Sequence, residues 1–413
     1  MIFKPAFHKP FHLLTGKWNE EFDHWIKEII PPSDSCNPPL FKRIKTDPSI
    51  SWRNLFFFLK PRLGLPSFLF PTLKQHFFHN AIAEDRLPFL SEIHHLWFNI
   101  LSTFDQVGLL FRLITNNETY ITPNHLQILC KRILHTNHSL KFLKQNEQHG
   151  TIYSQTVTAR IFFLLNTSRT GKISRREFRH SSFVRVFTSL TNDTILTDDS
   201  EPFFFSYQFV QAIRCKYYQF RILCQRFFKD EEEFEMEHMP IHYLLQYPTL
   251  NKQMQHRIMT SAPKAFSDGH VLGRSTRFTY HDFIYLFLAE KDMTTKASLS
   301  YWFDILDIDG NQRLDIPCIS KTFYTSETLP TLLHQFIFDH NNHTLACNIK
   351  ELLLPFILQR INEPCLHPHH PWTKEEILEK ARESLTFRCE YKALLYLFTF
   401  PSYAENRYSK LLS

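Results

Sequence analysis

The sequence predicts an all-α fold: an elongated array of helix–loop–helix pairs, several of them degenerate, behind a proline-rich N-terminal extension. Only 8 of the 413 residues are glycine, which disfavours folds that need many tight glycine turns. Hydrophobic residues make up 43% of the chain and charged residues 21%, so a packed core is expected. A unit consisting of an apolar helix face, a twelve-residue loop and a second apolar face also recurs from about residue 100 onward.

The first part of the chain predicts one docked helix within irregular structure. Apolar residues Phe22, Trp25, Ile26 and Ile29 recur at helical spacing, and the prolines that follow prevent the helix from continuing. Prolines also bracket residues 65–71, which predicts an extended aromatic segment there. The predicted domains are the extension (1–63), an N-terminal helix–loop–helix domain (64–260), a C-terminal one (261–365) and a helical tail (366–413).

The sharpest copy of the repeated unit contains the loop 307–318. Oxygen-bearing side chains stand at its first, third and fifth positions, and the apolar Leu314 stands at its eighth. This is the EF-hand pattern, in which about six to eight oxygens surround a calcium ion. The candidate metal ligands are Asp307, Asp309, Asn311, the backbone carbonyl of Arg313, and Asp315.

Two features of this loop argue against tight calcium binding. Cys318 occupies the twelfth position, where a bidentate carboxylate is expected, and Gln312 occupies the sixth, where the backbone turns left-handed. Asp315 could instead cap the next helix. A loop that keeps its shape without metal is therefore the alternative interpretation.

A second candidate metal loop spans residues 166–177. Gly171 stands at the sixth position, and the ligand positions hold Asn166, Ser168, Thr170 and Glu177. A single carboxylate attracts a divalent ion weakly. Ser174 and Glu177 also have the spacing of a capping box that opens a helix, which is the alternative role for Glu177.

Weaker copies of the unit occur elsewhere: the loop 114–125 has Glu118 as its one carboxylate, and the loop 229–240 is acidic inside but begins with Lys229 and ends with Pro240. The apolar eighth positions of all copies fall at residues 121, 173, 236, 278, 314 and 347. Because this spacing is irregular, we expect divergent units that pair in space instead of a regular solenoid.

Several classes of function lack support in the sequence. No motif of a nucleotide-binding loop, hydrolase or zinc protease occurs, so the chain is not expected to be an enzyme. The net charge of +6 is spread along the chain, so nucleic acid is not expected as a partner, and no apolar run is long enough for a membrane span. The segment 365–371 contains Cys365, His367, His369 and His370, which could bind zinc, but its prolines favour an exposed linker.

Five stretches resemble the B'' regulatory subunits of protein phosphatase 2A, in that family's order. They are residues 65–71, 139–143, 157–162 running into Asn166 and 170–173, 278–283, and 298–303 with 307–310. The resemblance implies an EF-hand protein without catalytic activity that binds the scaffold and catalytic subunits of the phosphatase and selects phosphoprotein substrates. It also implies a stronger calcium site at 307–318 and a second one at 229–240, but Cys318, Lys229 and Pro240 depart from the family's ligand pattern.

The leading hypothesis is thus a phosphatase regulatory subunit, with calcium as the one cofactor its loops could hold. The alternative is an EF-hand calcium sensor that binds partner helices independently of a phosphatase. Eight scattered cysteines suggest reduced thiols, hence a cytoplasmic location, with association to the cytoskeleton or nucleus as in some relatives.

Overall fold

A computed structural model describes most of the chain between residues 49 and 314 and one segment after it. The described residues are 24–26, 49–83, 85–97, 101, 104–197, 203–228, 238–247, 250, 252–291, 295–307, 310–314 and 372–383. This part is mostly helical with very short strands, which confirms the predicted all-α class of EF-hand-like helical pairs.

The α-helices of the described residues are α1 (Trp52–Leu63), α2 (Phe70–Phe77), α3 (His79–Ala83), α4 (Leu90–His95), α5 (Gln106–Thr115), α6 (Pro123–Thr136), α7 (Glu147–Leu165), α8 (Arg175–His180), α9 (Phe183–Ser189), α10 (Tyr207–Phe228), α11 (Lys252–Ser261), α12 (Tyr280–Lys291), α13 (Lys296–Leu306) and α14 (Lys374–Glu383). The strands are β1 (Tyr120–Ile121), β2 (Ile173–Ser174), β3 (His238–Pro240), β4 (Arg277–Thr279), β5 (Arg313–Leu314) and β6 (Trp372–Thr373). The strands pair antiparallel as β1–β2, β3–β4 and β5–β6.

Tertiary contacts group the chain into two compact units. The first runs over 1–161 and 172–209, and the second over 162–171 and 210–413. The domain boundaries predicted at residues 64, 261 and 366 separate parts of the chain that fold independently. A grouping by contacts does not test independent folding, so these boundaries stay predictions.

The first unit contains the strand pair that joins two helix–loop–helix motifs, although residues 162–171 of the second motif belong to the other unit. Ile121 of β1 lies opposite Ile173 of β2, and both side chains are fully buried. Asp105 caps α5 by accepting a hydrogen bond from the Gly108 N–H (2.9 Å), and its carboxylate also pairs with Arg179 of α8. The entering helix of one motif is thereby tied to the exiting helix of the other.

The second unit contains the other two strand pairs. Met239 pairs with Phe278. The sequence placed the apolar eighth position of this loop at Met236, which is wrong by three residues. Leu314 pairs with Trp372, from the segment predicted as a tail, and not with residue 347. The predicted copy around residue 347 lies outside the described residues, as do the loop 229–237 and the Cys/His segment 365–371.

Residues 65–71 are not extended as predicted. Ser67–Leu69 form a 3-10 helix, and α2 follows at once with Pro71 in its first turn. A proline is tolerated there because the N–H groups of a first turn have no partner within the helix. Phe68 and Leu69 are buried in the first unit, and Trp25 of the N-terminal extension stacks on Phe58 at 4.1 Å between ring centroids.

We predict that Ile121→Ala lowers the free energy of unfolding by about 2–5 kcal/mol, because it leaves a cavity where two loops meet. Ile195→Ala is the matched control, since Ile195 is 61% exposed and its truncation should change stability little. Urea unfolding of both variants measures the difference. Equal effects of the two substitutions would show that the loop contact is not part of the core.

Candidate metal loops and the neighbouring cavity

The described part of the loop 307–318 shows how its first residues are held. Gln312 has a left-handed backbone (φ 63°), as its sixth position predicts, and its N–H donates to Asp307 Oδ2 at 2.9 Å. Asn311 is exposed, and the backbone of Arg313 lies in β5. Asp309, Asp315 and Cys318 lie outside the described residues.

A cation lies next to the first ligand position. Arg257 of α11 donates from Nε to the carbonyl oxygen of Ile305 (3.0 Å) and from Nη2 to that of Asp307 (3.1 Å). Burial lowers the pKa of Arg257, while the nearby Asp307 charge opposes that change. The guanidinium satisfies carbonyl groups at the C-terminal end of α13, where positive charge is favourable.

The described residues by themselves do not make a calcium site. They bring one carboxylate, that of Asp307, and one amide, that of Asn311, to the loop 307–318, with the Arg257 guanidinium close by. Calcium requires about six to eight oxygen ligands, and a neighbouring cation weakens its attraction. Across the described part of the chain, no group of three or more His, Cys, Asp or Glu residues is placed to hold a metal ion.

The second candidate loop, 166–177, is divided between the two units. In the second unit, the side chains of the first, third and fifth positions bond to one another: Ser168 Oγ donates to Asn166 Oδ1 (3.2 Å), and the hydroxyls of Ser168 and Thr170 lie 3.2 Å apart. Oxygens that would face a metal in a calcium-binding loop thus already have partners within the loop.

In the first unit, Glu177 forms the capping box proposed as its alternative role. Its Oε2 accepts hydrogen bonds from both the N–H and the hydroxyl of Ser174 (2.8 Å each), while Ser174 Oγ accepts from the Glu177 N–H (3.3 Å). The carboxylate at the twelfth position therefore stabilises the start of α8.

Two further residues cap exiting helices in the same way. His125 Nδ1 accepts from the Thr122 N–H (3.2 Å) at the start of α6. Asp282 accepts from the Thr279 N–H (2.9 Å) at the start of α12 and from the Ala265 N–H (2.8 Å). Burial raises the pKa of Asp282, although these hydrogen bonds favour its ionised form. The spacing of Thr279 and Asp282, an acid three residues after a threonine, is the sequence signal for this cap.

Gly171 shows how the start of the loop 166–177 packs in the second unit. Its backbone is left-handed (φ 68°), and a Cβ atom there would lie 2.7 Å from the carbonyl oxygen of Phe266. The neighbouring Arg169 also has a left-handed backbone (φ 54°), and its carbonyl accepts from the Gly269 N–H at 3.1 Å. The loop therefore packs against the chain around residue 266.

A cavity of about 1150 Å³ lies within the second unit. On its wall, Asp304 of α13 forms ion pairs with two cations, Arg169 and Lys374, with Lys374 Nζ 2.7 Å from Asp304 Oδ1. Sequence reasoning missed all three residues. Arg169 lies in the loop 166–177 but not at a ligand position, Asp304 and Lys374 belong to no candidate site, and the three come from distant parts of the chain.

Comparisons with known proteins point to one family. Residues 105–193 match a family model described as an EF-hand domain. The probable B''epsilon regulatory protein of serine/threonine protein phosphatase 2A from Arabidopsis thaliana is 26% identical over 296 residues, which is 70% of this chain and 49% of that protein. The beta form of the B'' regulatory subunits from Homo sapiens is 26% identical over 228 residues, 54% of this chain and 36% of that protein. The chain thus spans half or less of the length of these relatives.

A solved structure also resembles the chain. A chain of a structure described as a PP2A PR70 holoenzyme, labelled diCa, aligns with a TM-score of 0.50 and 20% identity. The alignment covers 73% of this chain and 98% of that one. At this identity the likeness shows the fold.

We predict that Glu177→Ala lowers the free energy of unfolding by about 1 kcal/mol, equally in calcium and in chelator, because the carboxylate caps a helix. Glu118→Ala is the control, since this carboxylate belongs to the loop 114–125 and its side chain is 63% exposed. Denaturant unfolding under both conditions measures the effect. A stabilisation by calcium that Glu177→Ala removes would instead assign Glu177 to a metal site.

Proposed function

Because this chain is a divergent member of the B'' family of protein phosphatase 2A regulatory subunits, we propose that it is itself such a subunit. It would bind the scaffold and catalytic subunits, direct the phosphatase to phosphoprotein substrates, and have no catalytic activity of its own. The observation that carries the proposal is the match to several B'' subunits, one of them over 70% of this chain.

The contacts within the loops support a rigid adaptor. A calcium sensor changes shape because its ligand side chains exchange partners when the metal binds. Here Asn166, Ser168 and Thr170 bond to one another, and Glu177 caps a helix. Because these hydrogen bonds form without metal, we expect the helix–loop–helix pairs to keep one conformation and to present fixed surfaces to the phosphatase subunits.

The calcium sensor remains the alternative, and the loop 307–318 is its best candidate. Asp307 and Gln312 already form the turn that a calcium-binding loop needs. The label diCa on the PR70 neighbour is the further observation in favour of this alternative. In that case Asp307, Asp309, Asn311, the Arg313 carbonyl and Asp315 would hold the ion.

We propose a cytoplasmic location from the scattered cysteines, with association to the cytoskeleton or nucleus by analogy with some relatives. Among the described residues, no helix is both long and apolar enough to cross a bilayer.

We predict that the full chain co-elutes with purified scaffold and catalytic subunits at micromolar concentration, and equally in calcium and in chelator. Size-exclusion chromatography of the three proteins measures this, with the scaffold and catalytic subunits run without the chain as control. Failure of both subunits to co-elute with a folded chain would contradict the proposal.

Calorimetric titration separates the adaptor from the sensor. For the adaptor we expect calcium to bind more weakly than the about 10⁻⁷–10⁻⁵ M typical of sensor sites. Binding within that range that Asp307→Asn abolishes and Glu118→Ala leaves intact would favour the sensor.

A further inference from the structure

The wall of the cavity in the second unit carries six Lys and Arg residues against four Asp and Glu residues. Asp304 pairs with both Arg169 and Lys374, and all three side chains are largely buried, at 17–23% exposure. Burial lowers the pKa of Lys374 to about 8, and repulsion by Arg169 and Lys296 adds to this, while Glu375 and Asp307 oppose it. The four carboxylates do not neutralise the six cations, so an additional anion would be stabilised there.

The backbone fixes one of these cations in place. Arg169 has φ 54°, an unfavourable conformation for a residue with a side chain, and the Gly269 N–H bond to its carbonyl helps to hold it there. Gly171, two residues on, allows the close approach to Phe266 that packs the loop against the cavity wall. Backbone strain of this kind often occurs at binding sites. The loop 166–177, which has only one carboxylate among its ligand positions, thus places its fourth residue, Arg169, on the cavity wall.

The rest of the wall suits an oxyanion. Arg257, Lys264, Lys296 and Arg382 also line the cavity, Lys296 and Arg382 being exposed, as do Tyr285 and Tyr301. Its acidic residues are Asp304, Asp307, Glu375 and Glu379, and the last two are exposed. The volume of about 1150 Å³ slightly exceeds the range of about 300–1,000 Å³ usual for ligand sites, which leaves room for a phosphate group and the residue that carries it.

We infer that this cavity binds a phosphate group, through Arg169, Lys374 and Lys296. A phosphate dianion matches two or more cations, and the planar guanidinium of Arg169 suits its paired oxygens. Asp304 holds the cations in the free protein and competes with the ligand for them. The inference concerns the chain alone and does not depend on phosphatase binding.

Calorimetric titration of the full chain tests the site, with inorganic phosphate and with a phosphoserine peptide as probes. We expect both to bind, Lys374→Met and Lys296→Met each to weaken binding about tenfold or more, and Asp304→Asn to strengthen it. Lys131→Met is the matched control because Lys131 is an exposed lysine of α6, outside the cavity wall. Thermal unfolding verifies that each variant is folded.

The two probes also separate the sources of the phosphate group. A phosphopeptide that binds at least tenfold more tightly than phosphate, and than its unphosphorylated form, identifies a phosphorylated protein segment as the ligand. Equal affinity for phosphate and phosphopeptide identifies free phosphate. No binding of either probe to the folded chain, or an equal loss with Lys131→Met, overturns the inference.

Discussion

The architecture depends on short strand pairs that join successive loops. Each pair is only two or three residues long, yet β1–β2 and β3–β4 each place an apolar side chain from both strands in the core: Ile121 beside Ile173, and Met239 beside Phe278, all at most 1% exposed. Helix–loop–helix motifs that cannot bury their apolar faces alone become stable by this pairing. Some helices begin directly after a strand of such a pair, among them α8 after β2 and α12 after β4.

The loops keep this arrangement although most of their ligand positions have changed. In a calcium-binding loop, the metal gathers the side chains and neutralises their charge. Here other groups hold the loops: neutral side chains bond to one another in 166–170, and Glu177, His125 and Asp282 cap the helices that follow. Arg257 provides positive charge at the start of 307–318. Contacts of the protein itself therefore hold the described parts of these loops.

The sequence predicted Ile121 and Ile173 as the apolar eighth positions of two loops and predicted that such units pair, and the structure shows that these two pair with each other. Prediction from the sequence failed where local patterns were ambiguous. Met236 and Met239 are three residues apart, and only the strand register selects Met239. Prolines around 65–71 suggested extended chain, but the burial of Phe68 and Leu69 favours helical turns there. Trp372 has no loop pattern around it, so its pairing with Leu314 was not foreseen.

The sequence alone determined the class of fold, the position of the loops at 166–177 and 307–318, the left-handed turn at Gln312 and the capping box of Glu177. These features depend on residues within a few positions of one another, where spacing fixes geometry. The tertiary structure alone decided that Arg169, Asp304 and Lys374 meet at one cavity. Charged residues carry no periodic signal of their partners, and only the packing of distant segments sets which of them share a buried environment.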